Sequence, residues 1–69
     1  MTTFNQMQQC SPVSRGEFRA KILGLRYAHI QEAPTDGGRV LFVYAGDEYG
    51  PMVGFRDDYL GRSTFYLRR

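Results

Sequence analysis

Covalent staples are what this sequence has least of. It holds one cysteine and one histidine among 69 residues. A lone thiol closes no internal disulfide, which excludes a disulfide-stapled secreted scaffold. One imidazole beside one thiol falls short of the four ligands of an ordinary structural zinc site. Tryptophan is absent and proline occurs three times. No stretch approaches the ~18 continuous apolar residues of a membrane-spanning helix. Met1 to Gly16 carries no basic segment followed by an apolar one, so it does not read as a secretory signal. With the single thiol, this sets a cytoplasmic expectation.

Length is scarce too. A chain of this size buries only roughly 60% of the surface its unfolded form exposes. Its core supplies ~3–5 kcal/mol of net stability. That is too little chain for a Rossmann unit, a P-loop NTPase, a TIM barrel or a multi-domain enzyme.

Charge of one sign is nearly balanced. Nine basic residues face seven acidic ones, for a net charge of +2. A dedicated nucleic-acid binder of this length would carry a larger excess. Among the basic residues Lys21 is the one lysine and the rest are arginine. Arginine offers a planar fork for bidentate contacts and stacks on aromatic faces. A GC-rich coding sequence accounts for the same bias more simply.

What is present is apolar and aromatic residues in short blocks: 42% hydrophobic and 14% aromatic, with five Tyr and five Phe. This suffices for a folded domain. Met1–Gly16 is a polar extension, in which Thr3 and Gln6 have capping-box spacing and Phe4, Met7 and Cys10 share one side of a short helix. Residues 17–69 read as a single small β-rich domain. Over Glu17–Ala33, Phe18, Ala20 and Ile22 alternate with charged neighbours, the phase shifts at Gly24, and Leu25, Tyr27 and His29 continue it. The spacing predicts a long strand bent by a glycine bulge. The competing reading is a helix over 15–33, started by Ser14 and Glu17 and packed on a three-stranded antiparallel meander in the α+β class.

Pro34–Gly38 is a turn, Arg39–Ala45 a strand of β-branched and aromatic residues, and Gly46–Gly50 a loop. Pro51–Arg56 is a further strand. Asp57–Gly61 reads as one helical turn, and Ser63–Arg68 as the last strand. Bent strand, turn, strand, loop, strand, helical turn and terminal strand resemble, over Glu17–Arg68, the order of SH3-like small barrels, which SH3, Tudor and chromo-barrel modules share. The resemblance implies an all-β, small antiparallel SH3-like barrel and, being one of pattern, implies no activity.

The residues able to carry chemistry do not assemble in the sequence. His29 has only Glu32 close by, and a general base needs a fixed partner. Cys10 has no basic residue nearer than Arg15 to lower its pKa, so an inert thiol is expected. Asp47-Glu48 and Asp57-Asp58 are adjacent pairs, whereas oxygen-ligated cations take alternate loop positions. Asp57 or Asp58 is expected to cap the helical turn. No catalytic residue, cofactor or metal is assigned.

The aromatic residues carry the functional expectation. Phe42, Phe55 and Phe65, with Leu41 or Leu67, make the core, and ten rings exceed what a barrel this small buries. Tyr and Arg are the types enriched at binding hot spots. Arg26, Tyr27, Tyr49, Arg56, Tyr66, Arg68 and Arg69 are therefore the candidate partner-binding residues. The expected function is a non-enzymatic binding module that docks on a larger protein or complex as a regulator or inhibitor, in the manner of bacterial or phage accessory proteins. The alternative is a nucleic-acid-binding barrel, with Tyr stacking on bases and Arg meeting phosphates. An exposed Ser63–Arg68 edge would also pair between copies as a homodimer. No membrane partner is expected.

Overall fold

The computed structural model describes residues 3–68, with side chains from Gln6 to Arg68. In chain order the elements are α1 (Thr3–Gln8), β1 (Cys10–Val13), α2 (Arg15–Leu23), β2 (Ala28–Thr35), β3 (Gly38–Ala45), β4 (Met52–Tyr59) and β5 (Arg62–Arg68). The strands form one antiparallel sheet in the order β1-β5-β4-β3-β2. This is the all-β, barrel-like class the sequence pattern implies. β1 and β2 stand at opposite edges of the sheet. No described helix is long and apolar enough to cross a membrane.

The sheet has two working faces, because side chains alternate along each strand. Phe42, Phe55 and Tyr66 lie in one cross-strand row. Their rings sit 6.3 and 4.5 Å apart, the second pair stacked. Val40, Met52 and Phe55 are the buried centre of this side, with Met7, Cys10, Phe42 and Tyr44 packed on it. On the other face Leu41, Arg56, Phe65 and Val13 form a row, and α2 lays Phe18 on Phe65 at 5.1 Å between ring centroids. Of the expected core residues, Phe55 and Phe65 are buried, while Phe42, Leu41 and Leu67 are half-buried. Val40, Val43 and Met52 complete the core.

Residues 17–33 are not one bent strand. The segment divides into α2 and β2. Ser14 is the N-cap, extended at φ −73° and ψ 161°, and its hydroxyl accepts the Glu17 N–H at 3.1 Å. This cap is stronger local information than the alternation, and it satisfies an amide left over at the helix start. Gly24 is no bulge but the helix C-cap, with its N–H donated to the Ala20 carbonyl at 3.1 Å. The bulge lies elsewhere, where Val43 faces Gly54 and Tyr44 faces Met52. The competing helix over 15–33 starts where α2 starts, but α2 ends at Leu23 and residues 28–33 belong to β2.

Asp57–Gly61 is not a helical turn either. β4 runs on to Tyr59, and Leu60-Gly61 turns directly into β5, with φ 49° and 80°. Two successive left-handed residues make the hairpin turn whose twist matches the flanking strands. Nor is Ser63–Arg68 an edge, since β5 pairs with β1 on one side and β4 on the other. Cys10–Val13, in the polar extension, supplies that outer strand. The Thr3 side chain of the expected first capping box, and that of Phe4, fall outside the described side chains.

Candidate functional site

One end of the sheet gathers much of what the sequence singled out. The start of β2 meets the end of β3, Ala28 opposite Ala45. Just beyond them the Gly46 N–H donates to the Tyr27 carbonyl at 2.8 Å, which fastens the α2–β2 loop to the β3–β4 loop. The second loop is itself braced: the Tyr49 N–H donates to Asp47 Oδ1 at 2.9 Å, and the Gly50 N–H to the Asp47 carbonyl at 3.0 Å. Both loops therefore present their side chains from ordered backbone. Tyr27 is 69% exposed and Tyr49 87% exposed. The Arg26 guanidinium stands 5.9 Å from the Tyr27 ring centre, a cation–π distance. Arg68, at the end of β5, lines a shallow hollow of about 240 Å³ with Lys21, Pro51, Met52 and Val53 on the same end.

Arg56 and Tyr66 stand apart from that group. Tyr66 is half-buried, with its ring stacked on Phe55. Arg56 lies mid-sheet, opposite Leu41 and Phe65. Arg69 lies outside the described residues. The structure thus sets Arg26, Tyr27 and Tyr49 on two bonded loops, leaves Arg68 two strands away at the same end of the sheet, and separates Arg56 and Tyr66 onto opposite faces.

Arg56 belongs to a polar network instead. Its Nε donates to Asp58 Oδ1 at 2.7 Å, the Ser63 hydroxyl donates to the same oxygen at 2.7 Å, and Arg39 Nε donates to Oδ2 at 3.3 Å. Arg39 also pairs with Glu32 at 3.1 Å. Sheet register makes this assembly: Arg39, Asp58 and Ser63 share one cross-strand row, and Arg56 is two positions along β4 on the same face. The Ser63 hydroxyl, then the Arg56 guanidinium, hold the Asp58 carboxyl down at about 2, against its ordinary 3.8. Asp58 therefore cross-links strands and caps no helix.

His29 and Glu32 are separated by strand alternation, which sends them to opposite faces. The His29 ring lies 6.0 Å from that of Tyr44, while Glu32 is taken by Arg39. Cys10 is half-buried, and its Sγ donates to the Gln6 carbonyl at 3.6 Å. Burial pushes the thiol pKa up, opposed by Arg68 across the β1–β5 ladder, so the reactive thiolate is disfavoured. Among the described residues no three His, Cys, Asp or Glu side chains come close enough to hold a metal ion.

A second concavity joins Arg56, one of the expected partner-binding residues, to helix residues that were not among them. Between α2 and the sheet runs an open groove of about 320 Å³. Arg15, Phe18, Arg19 and Ile22 line its helix side, and Arg56 and Phe65 its sheet side. The signal was present as i, i+3, i+4, i+7 spacing from Arg15 to Ile22, a helical stripe. Reading the segment as a strand hid it. Compared with protein family models, with curated proteins and with solved structures, the chain matches none.

Proposed function

We propose that this chain is a non-enzymatic binding module that docks on a larger protein or complex through the sheet end bearing Arg26, Tyr27, Tyr49 and Arg68, and acts there as a regulator or inhibitor. The observation that carries the reading is the exposure of Tyr27 and Tyr49, 69% and 87%, on two loops bonded to each other at 2.8 Å. Tyrosine supplies large contact area at small conformational cost, and a braced loop loses little further freedom on binding. Arg26 and Arg68 add directional donors at the margin.

The test compares immobilised wild type with a Tyr27→Ala/Tyr49→Ala variant in capture from cell lysate, followed by measurement of the affinity of the captured protein. The expected result is a stoichiometric partner retained at raised salt and weakened by at least about tenfold in the variant, as for loss of hot-spot residues. Equal capture by both proteins overturns the reading. So does a gel shift of short oligonucleotides that vanishes steeply with salt, since counterion release marks a nucleic-acid surface.

A further inference from the structure

The groove between α2 and the sheet differs in chemistry from the sheet end and shares none of Arg26, Tyr27, Tyr49 or Arg68 with it. Its floor is apolar. Phe18 packs against Phe65, and Ile22 follows one turn along the helix. Leu23 continues the apolar surface at the rim and is left 72% exposed. Its charged groups are all of one sign. The Arg15 guanidinium lies 5.2 Å from the Phe65 ring centre and that of Arg56 lies 5.9 Å from the same ring. Arg19 lines the groove beside them. Among the described residues, Arg56 is ion-paired with Asp58, whereas Arg15 and Arg19 form no ion pair. Glu17, the acidic residue of α2, is turned off the groove stripe and bonded to the Ser14 hydroxyl.

Two guanidiniums over one ring and a third on the rim, of which only Arg56 is held by a carboxylate, leave an excess of positive charge above an apolar floor. A ligand complementary to both offers carboxylates and aliphatic side chains in alternation. The groove is also open to solvent, so it suits a chain laid across it more than a small molecule enclosed within it. We infer that the α2 groove docks an acidic, aliphatic-rich segment of a partner protein, with apolar side chains on Phe18, Ile22 and Phe65 and carboxylates on Arg15 and Arg19. Such a contact gains geometric specificity from the Arg forks and steering from the field.

The probe is a short fluorescein-labelled peptide alternating Glu with Leu, titrated with the full chain and followed by anisotropy. Two controls replace every Glu by Lys or every Leu by Ser. The expected result is saturable binding of the Glu/Leu peptide, no binding of the Lys version and at least about tenfold weaker binding of the Ser version. Arg19 is exposed and forms no ion pair among the described residues, so Arg19→Glu leaves the fold intact and is expected to weaken the Glu/Leu peptide by at least about tenfold. Leu23→Ser is a second, independent probe of the rim. Tyr49→Ala, at the sheet end, is expected to bind the peptide unchanged, so failure of the sheet-end proposal and failure of this one are told apart. The inference is overturned if the peptide does not bind, if the Ser version binds equally, if Arg19→Glu binds as wild type, or if a single-stranded oligonucleotide displaces the peptide at stoichiometric concentration.

Discussion

Asp58 shows how much one side chain organises here. Three donors from three strands converge on its two oxygens: Arg39 on β3, Arg56 on β4 and Ser63 on β5. They favour its charged form, and its carboxyl titrates at about 2 in the folded chain, against an ordinary value of 3.8. A carboxylate depressed by folding stabilises the native state above its unfolded value, and that contribution drains away as pH falls through the folded one. The contribution of Asp58 is therefore complete above 3.8 and is lost on acidification toward about 2. Thermal unfolding followed across this window is expected to show a falling melting temperature in wild type and a flatter profile in Asp58→Asn. Because the Ser63 hydroxyl is the largest cause of the shift, Ser63→Ala is expected to move the Asp58 titration upward, as read by carboxyl chemical shifts. An unmoved titration would show that Ser63 does not set it. None of this network was legible in the sequence. Asp58 and Ser63 read locally as a cap and a strand start, and only the register places them opposite one another.

At the scale of elements, the legible parts were those where a residue type dictates the backbone. Arg39–Ala45 is dense in Val, Phe and Tyr, and its strand forms almost at the expected limits. The glycines of Pro34–Gly38 marked the β2–β3 turn, where Gly37 takes φ 94°. The misreadings came where two periods competed. Ser14 and Glu17 favoured a helix, alternation favoured a strand, and the cap prevailed because it satisfies a helix-end amide in a nine-residue element. The β4–β5 turn was missed for the opposite reason. Leucine is a poor sign of a left-handed residue, yet Leu60 holds φ 49°. A left-handed non-glycine residue costs roughly 1–2 kcal/mol, and asparagine tolerates the region best. Leu60 is 71% exposed, so its side chain returns little by burial, and its N–H still donates to the Gly37 carbonyl at 3.0 Å. Leu60→Asn is expected to stabilise the chain by about 0.5–1 kcal/mol, seen as a higher urea midpoint at unchanged slope. A lower midpoint would mean that Leu60 contributes packing its exposure does not reveal. Gly38 marks the opposite constraint, since a Cβ there would fall on the Asp58 carbonyl across the strand pair.

Over the whole molecule, the division between buried residues that hold the fold and large side chains left exposed is sharp, and a comparison of variants can measure what each does. Among the described residues, five apolar ones, Val40, Val43, Met52, Phe55 and Phe65, are the buried core, and Met52 is wholly enclosed. The core of a chain of this size supplies ~3–5 kcal/mol of net stability. Removing a buried methionine side chain costs ~2–5 kcal/mol, because lost transfer energy and an unfilled cavity add. Met52→Ala is therefore expected to forfeit a large share of the total. Tyr49 lies three positions earlier and is 87% exposed, with its loop bonded through backbone N–H groups that alanine retains. Tyr49→Ala is expected to leave the urea midpoint within about 0.5 kcal/mol of wild type, as exposed substitutions do. Tyr27 at 69% and Leu23 at 72% exposure are expected to follow Tyr49 rather than Met52 when replaced by alanine and serine. If instead Tyr27→Ala or Tyr49→Ala costs stability on the scale of Met52→Ala, these rings serve the fold. The sheet end then has no residues to spare for a partner. If both variants keep the wild-type midpoint while partner capture falls, the exposed tyrosines act in recognition alone, as an exposed ring on a braced loop predicts.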